Sequence, residues 1–262
     1  MTALISRRMA FAGLSASLLA GPRLARGAGY RSPITANVIA NGSAAAAPTI
    51  FYASQAGQPT FDEGDAGGNP FASALIELLS RRHLGLRALP TALTMLTITK
   101  SQGLQIPDVP ARARLPEWTI EPQRRGDARL ALVLVFSDYR GSDGAASLPG
   151  AQHDAKRVSA AFEKAGFDTI LSLDPSRTQI DPVLRQFETR STRSDNAVIY
   201  ATGHGVEVDG VGYLLPGDYP VPRGADALRD RGIDVSRIAR AARARRTNVL
   251  FYGACRDNPF AA

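Results

Sequence analysis

From residue 129 onward the apolar positions of the chain switch regularly between two periods. Residues 130–136 (LALVLVF) are an uninterrupted apolar run of strand length, the pattern of a strand buried on both faces of a parallel sheet. Residues 151–165 then put Val158, Ala161, Phe162 and Ala165 on one helical face, with Gly166 placed to stop the helix. The alternation continues with a strand over 167–173, a helix over 178–189, a strand over 196–201 (NAVIYA), a helix over 235–245 and a strand over 248–252 (NVLFY). Strand and helix in turn predict an α/β fold, with a mostly parallel central sheet and helices on both faces.

The first half is less regular. Residues 49–53 (TIFYA) read as a short buried strand, and residues 70–82 as a helix with Pro in its first turn and Leu75, Leu78 and Leu79 on one face. Residues 92–100 favour helix over strand in spite of three threonines, and Pro107, Pro110, Pro116 and Pro122 then break regular structure through a loop carrying Trp118. Asn-Pro-Phe-Ala occurs at 69–72 and again at 258–261 without flanking similarity, so no internal repeat is read from it.

Ahead of these elements the pattern is that of an address. Residues 1–27 hold a basic pair, Arg7-Arg8, an apolar stretch from Met9 to Ala20, and small residues with Ala25 and Gly27 at the spacing signal peptidase favours. The apolar stretch is too short to span a bilayer, so no stable membrane insertion is expected after processing. The arginine pair and weakly hydrophobic core resemble a twin-arginine signal, which exports folded proteins. The expectation is an exported protein, in the bacterial periplasm or outside the cell; the competing reading is an uncleaved amphipathic anchor. Residues 28–48 lack sustained periodicity and read as a linker.

Composition narrows the class. With 262 residues, 44% hydrophobic and 21% charged, the chain is a folded protein with one large or two small domains, not collagen-like, wholly disordered or polytopic. Cys255 is the single cysteine, which excludes an intrachain disulfide, an iron–sulfur cluster and a multi-cysteine zinc site. Three histidines, His83, His153 and His204, make metal catalysis a poor expectation, and no metal ligands are assigned. The net charge of +7 falls to +3 without Arg7, Arg8, Arg23 and Arg26, which is too mild to argue for nucleic acid.

In an open parallel sheet, ligands bind outside the carboxyl ends of the strands, so chemistry is sought in the residues just past each strand. After the strand at 196–201 comes Thr202-Gly203-His204-Gly205, and after the strand at 248–252 comes Gly253-Ala254-Cys255-Arg256. A histidine and the only cysteine thus leave two strands at one edge. His204 can take the thiol proton and return it to a leaving amine, Cys255 can attack a carbonyl, and the backbone N–H groups of Gly205 and Cys255 can receive the oxyanion. Taken singly, Cys255 also fits a small buried hydrophobe and His204 a loop residue.

The segment from Tyr200 through Gly210, then Tyr213-Leu214-Leu215-Pro216, and the segment from Ala254 through Phe260 resemble the His and Cys motifs of the caspase family, closest to its bacterial metacaspase-like members. A histidine about 50 residues before the cysteine is itself a caspase feature. The resemblance reaches back over residues 130–139 and Leu148-Pro149 with Asp154-Ala155. It implies a caspase-like three-layer sandwich. Residues 51–58, with 65–71 and the helix after them, are similar to the small-subunit segment that normally comes after the catalytic cysteine, yet here they precede it. The resemblance therefore implies a circular permutant, with a small-subunit part at 49–122 and a large-subunit part at 123–262, paired within one chain or as a swapped dimer.

By the same resemblance Cys255 is the nucleophile and His204 the general base and acid of a peptidase acting on peptides or proteins. Metacaspase-like enzymes cut after Arg or Lys. Asp154 matches a position lining the specificity pocket and Thr202 a pocket position that is often Ser; Asp154 alone also fits a carboxylate drawn to a helix N-terminus by its dipole. Asp138 and Asp143 lie on the loop at the same edge, as secondary acids or solvated charges. Gly253 stands where many relatives have Asp, and residues 54–58 lack an acid that some metacaspases carry. Many relatives need calcium; no Asp/Asn loop specifies a site here, so calcium stays open.

Two other readings belong to different classes. A catalytically silent caspase-like module would bind a partner or an envelope component and keep its function in Cys255→Ala. A nucleotide- or flavin-binding domain is disfavoured because no GxGxxG or GxxxxGK[ST] comes after any strand, and the lack of GxSxG removes the usual serine hydrolase.

Overall fold

The computed structural model describes residues 5–6, 46–64, 67–81, 84–111, 126–142 and 144–260. In chain order its elements are β1 (Ile5–Ser6), β2 (Thr49–Tyr52), β3 (Phe61–Glu63), α1 (Pro70–Leu79), α2 (Leu89–Lys100), β4 (Arg129–Val135), α3 (Pro149–Lys164), β5 (Asp168–Leu173), α4 (Arg177–Ser191), β6 (Asn196–Thr202), β7 (His204–Val208), β8 (Val211–Leu215), α5 (Leu228–Arg231), β9 (Ile233–Asp234), α6 (Val235–Arg240) and β10 (Thr247–Tyr252).

Five parallel strands make the central sheet, in the order β2-β10-β6-β4-β5. Position in the sheet explains composition. Every residue of β4, β6 and β10 is buried, which is why these strands read as unbroken apolar runs, whereas the edge strand β5 exposes Asp168 and Leu171. The chain moves one way from β4 to β5 and back across β4 to β6, so right-handed crossovers put α3 and α4 on opposite faces. α1 packs beside α3, while α4 shares its face with the α6 segment, where the Ser191 hydroxyl donates to the Ala241 carbonyl at 3.2 Å. This is the α/β sandwich expected.

A single apolar core joins the two parts of the sequence: Phe51, Phe71, Leu75 and Leu78 from before residue 111 pack with Leu132, Phe162, Ile199, Leu250 and Phe251 from after it. Polar clasps reinforce the joint. The N-terminus of α3 is capped from β3, because the Asp62 carboxylate accepts from the N–H groups of Gly150 and Ala151 at 2.8 and 2.9 Å. Gly150 is required there, since a Cβ would lie 2.0 Å from the Asp62 carbonyl oxygen.

Three features depart from the sequence expectations. The helix expected over 235–245 stops at Arg240, because the backbone beyond it turns to meet α4 and Asn248: the Ser191 hydroxyl accepts from Arg243 N–H, and Asn248 Oδ1 from Ala244 N–H. His204 does not sit in a loop but opens a second strand. β7, β8 and β9 form a small antiparallel sheet, whose first hairpin turns at Asp209 and Gly210, both at positive φ. The third departure is β3, which pairs antiparallel with β1. Apart from β1, residues 1–27 lie outside the described structure, as do most of the 28–48 linker and Trp118. Among the described residues no helix is long and apolar enough to cross a membrane.

Candidate active site

β6 and β10 are neighbours in register, with Ala201 opposite Tyr252, so the segments leaving them emerge side by side. Thr202 ties them together: its fully buried hydroxyl donates to the Gly253 carbonyl at 3.0 Å. Beyond this tie the backbones of Gly205 and Cys255 meet so closely that a Cβ on Gly205 would lie 2.6 Å from the Cys255 carbonyl oxygen and 2.4 Å from the Tyr252 hydroxyl. The glycine after the histidine is therefore what lets the two segments approach.

His204 is 1% exposed and held from two sides. Its Nε2 lies 2.7 Å from the Ala146 carbonyl oxygen, in the loop after β4. A carbonyl can only accept, so Nε2 carries a proton, and in the neutral form of the ring the lone pair is on Nδ1. Its ring packs edge-on against Tyr139, centroids 4.5 Å apart.

Cys255 is 2% exposed. Its Sγ accepts from the Thr60 N–H at 3.2 Å, and the Thr60 hydroxyl is 3.5 Å away. Burial, and then the neighbouring Cys255, push the Tyr252 hydroxyl well above the usual tyrosine pKa, so it stays a neutral donor, here to the Tyr213 carbonyl at 3.0 Å. Arg256, next to the cysteine, is clamped by Glu207 at 2.6 Å and Asp108 at 2.7 Å, and its guanidinium lies over the Tyr52 ring at 4.1 Å. Burial alone would lower its pKa; the Asp108 and Glu207 hydrogen bonds more than offset this, and the pKa is raised.

Asp154 is fully buried in α3. Its Oδ2 accepts from Asn69 N–H at 2.8 Å and its Oδ1 pairs with Arg157 at 3.0 Å, while Gly68 lies so close that a Cβ would fall 2.0 Å from Oδ1. In this conformation Asp154 binds α1's N-terminal approach rather than facing solvent. Asp138 forms an exposed pair with Arg140, whose hydrogen bonds lower its pKa to about 2; Asp143 lies outside the described residues. A Cβ on Gly253 would meet the Thr202 hydroxyl at 3.0 Å and the Tyr200 hydroxyl at 3.1 Å, contacts that these side chains would have to ease. Among the described residues no group of three His, Cys, Asp or Glu side chains is arranged to hold a metal ion.

Sequence reasoning misses Ala146, Tyr139 and Thr60. A backbone carbonyl leaves no trace in residue identity, and Thr60 comes to the thiol from 195 residues away. Tyr139 ends a stretch that carries the family resemblance, but nothing in its spacing connects it to His204.

No curated protein matches the chain. The family model described as the caspase domain matches residues 128–261, which takes in β4 through β10 together with His204 and Cys255. Over half of its length the chain carries that domain, and it belongs to the caspase family.

Proposed function

We propose that the protein is an exported cysteine endopeptidase in which Cys255 and His204 act as a dyad. The observation that carries this reading is that His204 and Cys255 leave neighbouring strands in register, on segments that meet where Gly205 abuts Cys255; the Nε2 contact to Ala146 orients the ring. Nδ1 takes the thiol proton, and the sulfur attacks the scissile carbonyl carbon. The C–N bond then breaks as the imidazolium protonates the leaving amine, and water hydrolyses the thioester with His204 again as base. Gly205 and Cys255 N–H groups are the assigned oxyanion donors.

Cleavage after Arg or Lys is the proposed specificity, with Asp154 and Thr202 lining the pocket. Its support is that Asp154 already receives a guanidinium. The Arg157 side chain is 23% exposed and Asp154 is fully buried, so a substrate cation reaches Asp154 only by displacing Arg157. The metacaspase-like, permuted organisation is supported by β2, which lies parallel to β10 on the side away from β6. Export rests on the sequence of residues 1–27.

The test is hydrolysis of fluorogenic peptides ending in Arg, Lys or Asp, with and without calcium, beside Cys255→Ala and His204→Ala. Arg or Lys cleavage lost in both variants supports the reading. A folded protein that cuts none of them favours the silent binding module, the reading suggested by a thiol only 2% exposed.

A further inference from the structure

His204 and Leu215 are direct partners in the β7–β8 hairpin. A side chain also bridges this pair. The Tyr139 hydroxyl accepts from the His204 N–H at 2.8 Å and donates to the Leu215 carbonyl at 2.8 Å. It thus ties the two strands together at the end of the hairpin that carries the imidazole. Room for it comes from Gly203, at φ 156°, where a Cβ would lie 2.7 Å from the hydroxyl oxygen.

The same residue holds the imidazole in two further ways. Its ring packs edge-on against the His204 ring. Its own N–H donates to the Ser147 hydroxyl at 3.1 Å, which folds back the loop that brings the Ala146 carbonyl to Nε2. Tyr139 is 1% exposed and therefore has little freedom to leave this position.

We propose that Tyr139 is a positioning residue for His204, its hydroxyl setting the backbone from which the imidazole projects and its ring and loop setting the imidazole's rotation. The proposal rests on the dyad reading. Because the hydroxyl touches backbone and not substrate, its removal acts on turnover and on the proton-accepting state of the imidazole, not on substrate affinity.

The experiment compares wild type with Tyr139→Phe, which keeps the ring and removes only the hydroxyl. It uses peptide hydrolysis and the pH dependence of Cys255 alkylation by iodoacetamide, which requires no substrate turnover. The expected result is a tenfold or greater fall in kcat with KM within about twofold, and a displaced alkylation profile, in a protein that still melts cooperatively. Should Tyr139→Phe not fold, Gly203→Ala keeps the tyrosine, presses on its hydroxyl and is expected to change kcat and alkylation in the same direction. Wild-type kcat and an unchanged profile in the folded variant overturn the proposal while leaving the dyad standing. A wild type without hydrolysis, and with the alkylation profile of an isolated thiol, overturns the dyad and the proposal with it.

Discussion

The N–H of Thr60 donates to the sulfur of Cys255, a contact between residues 195 positions apart that covers the thiol with a segment from the other part of the chain. The sulfur thereby has a donor that a thiolate can use, but reagents reach it only when the 58–60 segment moves. Alkylation of the native protein without substrate is expected to be at least about a hundredfold slower than of the same thiol in 8 M urea, as measured by mass spectrometry over time. Equal rates would mean that the cover is open most of the time.

The proposed dyad predicts kinetic losses of a characteristic kind. Cys255→Ala and His204→Ala each lower kcat by on the order of 10⁴-fold or more, and the double variant is little worse than either single one, because the two act as one unit. Additive losses in the double variant would contradict a shared proton transfer.

Asp62 caps α3 across the joint between the two parts of the sequence. Asp62→Ala leaves two helix N–H groups without their acceptor and is expected to cost about 1–3 kcal/mol by denaturant unfolding. Asp62→Asn, which retains an acceptor oxygen, is expected to recover part of this.

Position 253 is buried and has little room for a side chain. A Cβ there would press on Thr202 and Tyr200, so Gly253→Asp is expected to destabilise by about 1–3 kcal/mol as an overpacked substitution does. Gly253→Asp in a Tyr200→Phe background, which removes one of the two close hydroxyls, is expected to be better tolerated in the same assay.

The Asp195 carboxyl is held below the ordinary carboxylate range, chiefly by the Ala128 N–H and with help from Arg245. A depressed folded-state pKa gives stabilisation that is fully present above the unfolded value, about 3.9, and is lost as pH falls through the folded one. The difference in urea midpoint between wild type and Asp195→Asn should therefore hold level from pH 7 to about 5 and shrink below about 4.

The strands β4, β6 and β10 are legible in the sequence because burial on both faces writes itself as consecutive apolar residues. The paired positions of His204 and Cys255 come from the same strands. The hairpin after His204 is harder to see. Asp209-Gly210 between Val208 and Val211 is a hairpin signal, but a histidine directly past one buried strand reads as that strand's end rather than the start of another. The α6 segment keeps its helical composition to Arg245, yet tertiary hydrogen bonds to Ser191 and Asn248 end the helix five residues earlier. Thr60 and Ala146 act through backbone groups, which no residue pattern reports.

Strand order also governs how the protein is made. β10 lies between β2 and β6, so during synthesis β2 waits for a parallel neighbour encoded about 200 residues later, and β6 has one open edge until then. Such non-local parallel pairing is slow and leaves strand edges exposed. Because Cys255 lies just past β10, the step that closes the sheet also brings the thiol to the edge where His204 stands: under the proposed dyad, a nascent or half-folded chain is inactive until the fold is complete.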